Sequence, residues 1–291
     1  MRVARRLAAV VSCGVLAVLS SDCAVDARPP VEGAFDRTLA VNGPVDLDIR
    51  SGSGSVQIDT GAVDAVHVVA RIRASTWFTS DPEDRVRRIE AAPPIEQSGN
   101  TIRIGQVRDN DLYRNISISY EVTVPEDTRV RSRVGSGRQT ISHLRGPVDV
   151  STGSGSVRVG QVKGDVQAAT GSGSIDIEDA GGRLEARTGS GTIAIAGVRS
   201  MVRARTGSGG IRIEGQPLDA WDLQTGSGGI NMRVVGETPF DLDARSGSGG
   251  IESTQPVSAV GASSRRRLQG RVRGGGAQVQ LVTGSGGIRI Q

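Results

Sequence analysis

Carboxylates, guanidiniums and glycines are the groups in this 291-residue chain whose spacing could support chemistry. Asp222 and Asp243 hold equivalent places in two neighbouring copies of a repeated phrase. If those copies stack directly, the carboxyl groups lie about 5 Å apart, the separation of a retaining glycosidase, and one of the two pKa values rises. Such a pair would make the protein a polysaccharide hydrolase or lyase. The opposing reading is two solvated carboxylates balanced by Arg203 and Arg245. Trp77 and Trp221 are the two tryptophans that could stack on sugar rings, and the strand pattern turns Trp221 inward. Arg187, Arg203 and Arg205 gather three cations in adjacent outward positions, a candidate site for an anionic polymer. In the opposing reading they neutralise Asp149, Glu185 and Asp222, because like charges stacked on neighbouring strands repel.

Other chemistries lack their parts. Gly-rich coils of this length also build calcium-binding β-rolls, which need a carboxylate in each half repeat. Here the corresponding column reads Arg158, Asp176, Ala194, Arg212, Asn231 and Glu252, which is no ladder of cation ligands. With two cysteines and two histidines, a Cys/His metal module is excluded, and no metal or cofactor is expected. His67 lies in an alternating strand and His143 in a bend, and the serines belong to turns, whereas a nucleophilic serine needs a positioned base beside it. No lysine follows any Gly-Ser-Gly as a phosphate loop requires, and Lys163 is the single lysine. The formal net charge is +4, with charges dispersed along the chain, which excludes a strongly basic nucleic-acid-binding arm. No nucleic-acid partner is expected.

The elements that must position these groups are written as one phrase repeated nine times. Gly-Ser-Gly begins at Gly52, Gly135, Gly153, Gly171, Gly189, Gly207, Gly226, Gly247 and Gly284. Four successive gaps are 18 residues, followed by 19, 21 and 37, the last reading as two repeats with one degraded. Apolar residues are locked in phase with the glycines. Val157/Val159, Ile175/Ile177 and Ile193/Ile195 follow them, and Val148/Val150, Val166/Ala168 and Leu184/Ala186 precede them. Both pairs alternate with polar residues, the period of a strand with one buried face. Each repeat is then two short strands joined by a Thr-Gly-Ser-Gly turn and a bend. Such a unit cannot bury its apolar face alone, and stacking gives a parallel β-solenoid. Nine or ten coils would form a rod about 45 Å long. A hexapeptide-type triangular helix also uses 18 residues per coil, but the apolar positions do not follow a period of six. Antiparallel hairpins between consecutive copies would exclude both.

Residues 28–134 hold the first coil, an insert and one short helix, which Pro82 starts and whose Val86 and Ile89 could cover an open end or edge of the solenoid. Residues 135–291 are the regular array, with an irregular loop near 254–277 around Arg265, Arg266, Arg267, Arg271 and Arg273. Residues 1–27 read as an export signal. Arg2, Arg5 and Arg6 precede an apolar run from Leu7 to Leu19 that is too short for a stable anchor, and Val25-Asp26-Ala27 offers a cleavage site after Ala27. Two alternatives stay open: lipidation at Cys23, although Asp22 and the placement of Leu19 depart from a lipobox, and an uncleaved signal. Membrane attachment is expected only through that lipid or signal. The protein is expected to be exported to the periplasm, cell surface or medium.

With these phrases in place, the chain resembles the bacterial putative-adhesin family of β-strand-repeat proteins, a family of unknown function. The residues that carry the resemblance are Tyr120-Glu121-Val122-Thr123-Val124-Pro125, the Thr-Gly-Ser-Gly copies such as Thr170 to Gly173, and the ending from Arg271 to Ile290. The acidic residue usual in that family after Gly-Ser-Gly is replaced here by Ser, Arg, Thr or Gly, and Gln139 replaces an apolar residue in the first regular coil. The resemblance implies an exported solenoid. Together with the missing catalytic parts, it points to a non-enzymatic envelope or surface scaffold, adhesin-like, with an unknown protein or glycan partner. A purely structural envelope-stress accessory is a further alternative.

Overall fold

A computed structural model describes residues 29–62, 64–76, 81–106, 111–260 and 264–291. The N-terminal region comprises β1 (Val31–Ala40), β2 (Asp46–Ser53), β3 (Val56–Thr60), β4 (Ala65–Ala74), α1 (Pro82–Ala91), β5 (Ile95–Ser98), β6 (Thr101–Ile104) and β7 (Ile116–Val124). Coils follow as strand pairs: β8 (Arg129–Ser136) with β9 (Gln139–Ser142), β10 (Val148–Ser154) with β11 (Val157–Val162), and β12 (Val166–Ser172) with β13 (Ile175–Ala180). Next come β14 (Leu184–Ser190) with β15 (Ile193–Val198), β16 (Val202–Ser208) with β17 (Ile211–Gly215), and β18 (Trp221–Ser227) with β19 (Ile230–Val234). The chain ends in β20 (Phe240–Ser246), β21 (Ile251–Ser253), β22 (Val257–Ala259), β23 (Arg267–Val272), β24 (Ala277–Ser285) and β25 (Ile288–Ile290).

The strands form two facing sheets of 12 and 13 strands, so each coil has two sides rather than three. Along the array corresponding strands pair in parallel, and on the larger sheet in unbroken repeat register, Val148 with Val166 with Leu184 with Val202. Alternate residues point inward, and from Val130 to Ile213 the buried apolar residues are all Val, Ile, Leu or Ala. Larger side chains fill the ends. Phe35 meets Tyr120 edge-on at 6.4 Å in the N-terminal region, and Trp221 and Phe240 are buried near the C-terminal end. Gln139 is buried without penalty: it accepts from Ser132 Oγ at 2.5 Å and donates to the Ser151 carbonyl at 2.6 Å.

The Thr-Gly-Ser-Gly turn is a stacking device. Its last glycine, as in Gly191, has a φ of +145°, and a Cβ there would stand 2.0 Å from the Gly173 carbonyl of the coil below. Only glycine fits both demands. In four consecutive coils the buried threonine before Gly-Ser-Gly donates its hydroxyl to the second-glycine carbonyl of the neighbouring coil: Thr170 to Gly155, Thr188 to Gly173, Thr206 to Gly191 and Thr225 to Gly209, at 2.8–3.2 Å.

Coil order departs from sequence order at both ends. Strand β24 lies between β18 and β20, and β25 between β19 and β21, so the last coil is inserted beneath the preceding one. At the other end the β2/β3 coil lies between β6/β7 and β8/β9. The stretch near 254–277, expected as an irregular loop, carries β22 and β23, an antiparallel cap on β20. The 37-residue gap therefore holds this cap rather than a degraded repeat. Antiparallel β4 and β1 close one sheet edge, and α1 packs there through buried Val86 and Ile89, with Glu90 accepting from the Ala34 N–H at 2.8 Å. Among the described residues no helix is long and apolar enough to cross a membrane.

Candidate functional site

Because every coil repeats the same geometry, outward residues align in columns along the solenoid axis. On the larger sheet one column runs Asp149, Gln167, Glu185, Arg203, Asp222, Gln280, Asp243. Beside it run Ser151, Ala169, Arg187, Arg205, Gln224, Val282 and Arg245, with Arg133 on the N-terminal side. Opposite charges meet across these columns. Arg187 pairs with Glu185; Arg203 and Arg205 reach Asp222 at 3.6 and 3.2 Å; Arg131 and Arg133 reach Asp149 at 3.6 and 3.9 Å. The structure thus brings Arg187, Arg203 and Arg205 to one place and sets a carboxylate beside each. Exposed pairs of this kind contribute under about 1 kcal/mol each.

Asp222 and Asp243 are not brought together. The inserted β24 places Gln280 between them in register, so their backbones are two strand spacings apart, about 10 Å rather than about 5 Å. The expectation of direct stacking assumed that consecutive copies are neighbours, and here they are not. Each carboxylate is also engaged elsewhere. Asp222 accepts from Gln224 Nε2 at 2.8 Å as well as from Arg205, and Asp243 is gripped by Arg245 through two nitrogens at 2.9 and 2.6 Å. That hydrogen bond, followed by the charge interaction, raises the Arg245 pKa above its ordinary value.

The remaining candidates are dispersed. His67 Nε2 lies 2.7 Å from Asp36 and His143 Nδ1 lies 2.7 Å from Asp59, two separate surface pairs. Trp221 is buried and donates its indole N–H to the Ser200 carbonyl at 3.1 Å, so it offers no sugar platform. Trp77, Cys23 and the cleavage position after Ala27 lie outside the described residues. On the smaller sheet the column considered for calcium contains two ion pairs, Arg158 with Asp176 and Arg289 with Glu252, both at 3.3 Å.

Two surface features escaped the sequence reading. The residue after each Gly-Ser-Gly is Ser or Thr in the coils at Ser156, Ser174 and Thr192, but glycine at Gly210, Gly229, Gly287 and Gly250. Insertion of the last coil makes those four adjacent, and they floor an open trough of about 560 Å³ walled by Arg212, Asn231, Arg289 and Glu252. The signal was present in the fourth residue of the phrase, but adjacency depended on coil order. The second feature is the arginine-rich cap of β22 and β23.

Parallel coils, two sheets and a continuous inner apolar strip define a single-chain β-solenoid, a repeat protein. The chain belongs to the Toastrack DUF4097 family, whose model matches residues 45–291. No curated protein sequence matches it. Among solved structures it is similar to a putative adhesin from Bacteroides fragilis, with 11% identity, 91% of this chain and 100% of that chain covered, and a TM-score of 0.40. It is also similar to a putative cell adhesion protein from Clostridium sporogenes, with 10% identity, 90% and 98% coverage and a TM-score of 0.27.

Proposed function

We propose that the chain is an exported, non-enzymatic scaffold of the cell envelope that binds a protein or glycan partner through its outer faces. The observation that carries this reading is the division of labour across each strand. Inward residues form a dry apolar strip, and outward residues form long, regular ladders of exposed polar and charged groups. Rigid repeating faces of this kind suit extended contacts. A catalytic site instead gathers a few convergent polar groups in a concavity, and the carboxylates that might have done so are separated and tied to arginines. The basic and apolar N-terminal segment supports export, with cleavage after Ala27 or lipidation of Cys23.

Two measurements test the reading. Mass spectrometry of the protein recovered from its native host should show a chain beginning at Arg28 or a lipidated Cys23; a chain that retains Met1 to Ala27 in the cytoplasm would overturn export. Incubation of the exported chain with envelope fractions should show saturable binding without product release. Release of glycan fragments, abolished by Asp243→Asn in a folded protein, would replace the scaffold with a hydrolase or lyase.

A further inference from the structure

Charge is dispersed over most of the chain, but the dispersion stops at Glu252. Residues 253–291 contain six arginines and no carboxylate side chain, so the +4 formal charge is the balance of +6 here and −2 in the preceding residues. Five of the six lie between Arg265 and Arg273, and the fold holds them at the C-terminal end of the solenoid. Along β23, Arg267, Gln269 and Arg271 are exposed while Gly270 and Val272 are buried. The turn before it is fastened over the last coil in space. The Arg265 carbonyl accepts from the Ile251 N–H and the Arg266 carbonyl from the Ser246 N–H, both at 2.9 Å.

Neutralisation separates this cap from the rest of the surface. The carboxylates of β20 and β21 are already matched, Asp243 with Arg245 at 2.6 Å, Asp241 with Arg271 at 3.9 Å and Glu252 with Arg289 at 3.3 Å. Among the described residues Arg265, Arg266, Arg267 and Arg273 have no carboxylate partner. Three of them donate to neutral acceptors instead: Arg266 to the Gly247 carbonyl at 3.3 Å, Arg267 to Gln269 at 3.4 Å and Arg273 to Gln255 at 2.7 Å. Arg267 also stands directly opposite Arg245 in the antiparallel register, a like-charge juxtaposition that an external anion would relieve. The guanidiniums are strung out rather than convergent, with Arg267 and Arg271 about 13 Å apart along the strand. That spacing suits a surface bearing many anions better than one small anion. An aliphatic side chain accompanies them: Val260, at the end of β22, is 57% exposed, and its N–H is bonded to the Gln269 carbonyl.

We propose that this cap docks against an anionic phospholipid bilayer, with Arg265, Arg266, Arg267 and Arg273 on headgroup phosphates and Val260 entering the interfacial layer. The proposal rests on the envelope reading above, which places such a bilayer within reach. It adds a membrane contact remote from the N-terminal signal. Arginines near an anionic bilayer add about fivefold in affinity each, and salt screens the effect.

The test is co-sedimentation of the exported chain with vesicles of phosphatidylglycerol mixed with phosphatidylcholine, against phosphatidylcholine alone, at low and moderate salt. Wild type should bind the anionic vesicles selectively and lose binding as salt rises. R265Q/R266Q/R267Q should bind about 100-fold more weakly with an unchanged melting profile. R187Q/R203Q/R205Q, which removes cations already set beside carboxylates, should change binding by no more than about twofold. Val260→Ser should weaken vesicle binding while leaving binding to soluble polyphosphate unchanged. Equal binding to both vesicle types, or wild-type affinity in the cap variant, overturns the proposal. So does polyphosphate binding as tight as vesicle binding together with an inert Val260→Ser, which would make the cap a polyanion site. If vesicle binding fails while envelope-fraction binding persists, only the cap assignment falls; if both fail, the scaffold reading falls with it.

Discussion

From Val148 to Val234 the coils stack in the order in which the chain makes them, whereas at the C-terminal end they do not. After β19 the chain passes over the space for one coil, builds β20 and β21, folds the β22–β23 cap, and returns to fill the gap with β24 and β25. The turn hydrogen bonds follow this spatial order. Thr283 donates to the Gly228 carbonyl at 2.8 Å and Ser246 to the Gly286 carbonyl at 2.9 Å, which continues the ladder across strands remote in sequence. The difference teaches that the phrase specifies the shape of a coil but not its neighbour. The coils on both sides of the insertion present a hydroxyl donor, Thr225, Thr283 or Ser246, and the same glycine carbonyl, so the turn does not choose between them. Connection length decides.

The largest test of that comparison removes the inserted coil. Truncation after Gly276 in a sequential solenoid would strip one terminal coil and leave the rest intact. Here it should also release β20 to β23, which have no other partner on that side, and expose β18 and β19. Hydrogen exchange should then report lost protection from Phe240 to Val272 as well as at Trp221–Ser227, with a stability loss above about 4 kcal/mol, outside the ordinary single-site range. Protection retained at Phe240–Ser246 would show that β20 closes directly onto β18, and the inserted coil would then be dispensable.

A single substitution in the regular array comes next. Gly191→Ala forces an L side chain to a φ of +145° and a Cβ to 2.0 Å from the Gly173 carbonyl. A cost of about 3 kcal/mol is expected from denaturant midpoints. A cost under 1 kcal/mol would mean that the turns can shift apart and that the stacking is looser than its register implies.

The threonine ladder offers a smaller, internal comparison. Thr188→Val keeps the shape and removes a hydroxyl bonded at 3.1 Å to Gly173, which should cost about 1 kcal/mol. Thr152 starts the ladder, above a coil that carries Val134 at the equivalent place, and its buried Oγ1 lacks a protein partner. Thr152→Val should therefore be neutral or stabilising in the same assay. Equal losses at both sites would assign the effect to packing rather than to the hydrogen bond.

These contrasts also explain what could be read from the amino acids. The coil was legible because glycine phase and Val/Ile alternation are local, so the strand pairs, the parallel stacking and the outward columns followed from spacing alone. Pro82, Val86 and Ile89 likewise announced α1 as an edge cover. Coil order was not legible, because Gly284 carries the same phrase as Gly226 and nothing near it encodes which coil it joins. That one ambiguity moved Asp222 and Asp243 apart, brought Gly229 beside Gly287, and turned the stretch around Arg265 to Arg273 from an apparent loop into a cap. The site is a product of long-range pairing, which a periodic sequence specifies weakly.

The smallest expected effect concerns the residue one place beyond the obligatory glycine. Gly210 has no positive φ, and a Cβ there would meet only the Gly229 carbonyl, at 3.4 Å, an ordinary contact. Thr192 carries a side chain at the equivalent position of the adjacent coil. The fold therefore does not require glycine at 210, and Gly210→Ala should stabilise by about 0.4–1 kcal/mol through the unfolded chain's lost freedom. Urea midpoints compared with those of Gly191→Ala decide the matter, because the two sites lie 19 residues apart at successive turns. Opposite signs would separate the glycines that make the solenoid from those that open the trough on its face. A loss at Gly210 comparable to that at Gly191 would mean instead that the whole turn, through its fourth residue, is one rigid stacking unit, and that the trough is a by-product of how coils meet.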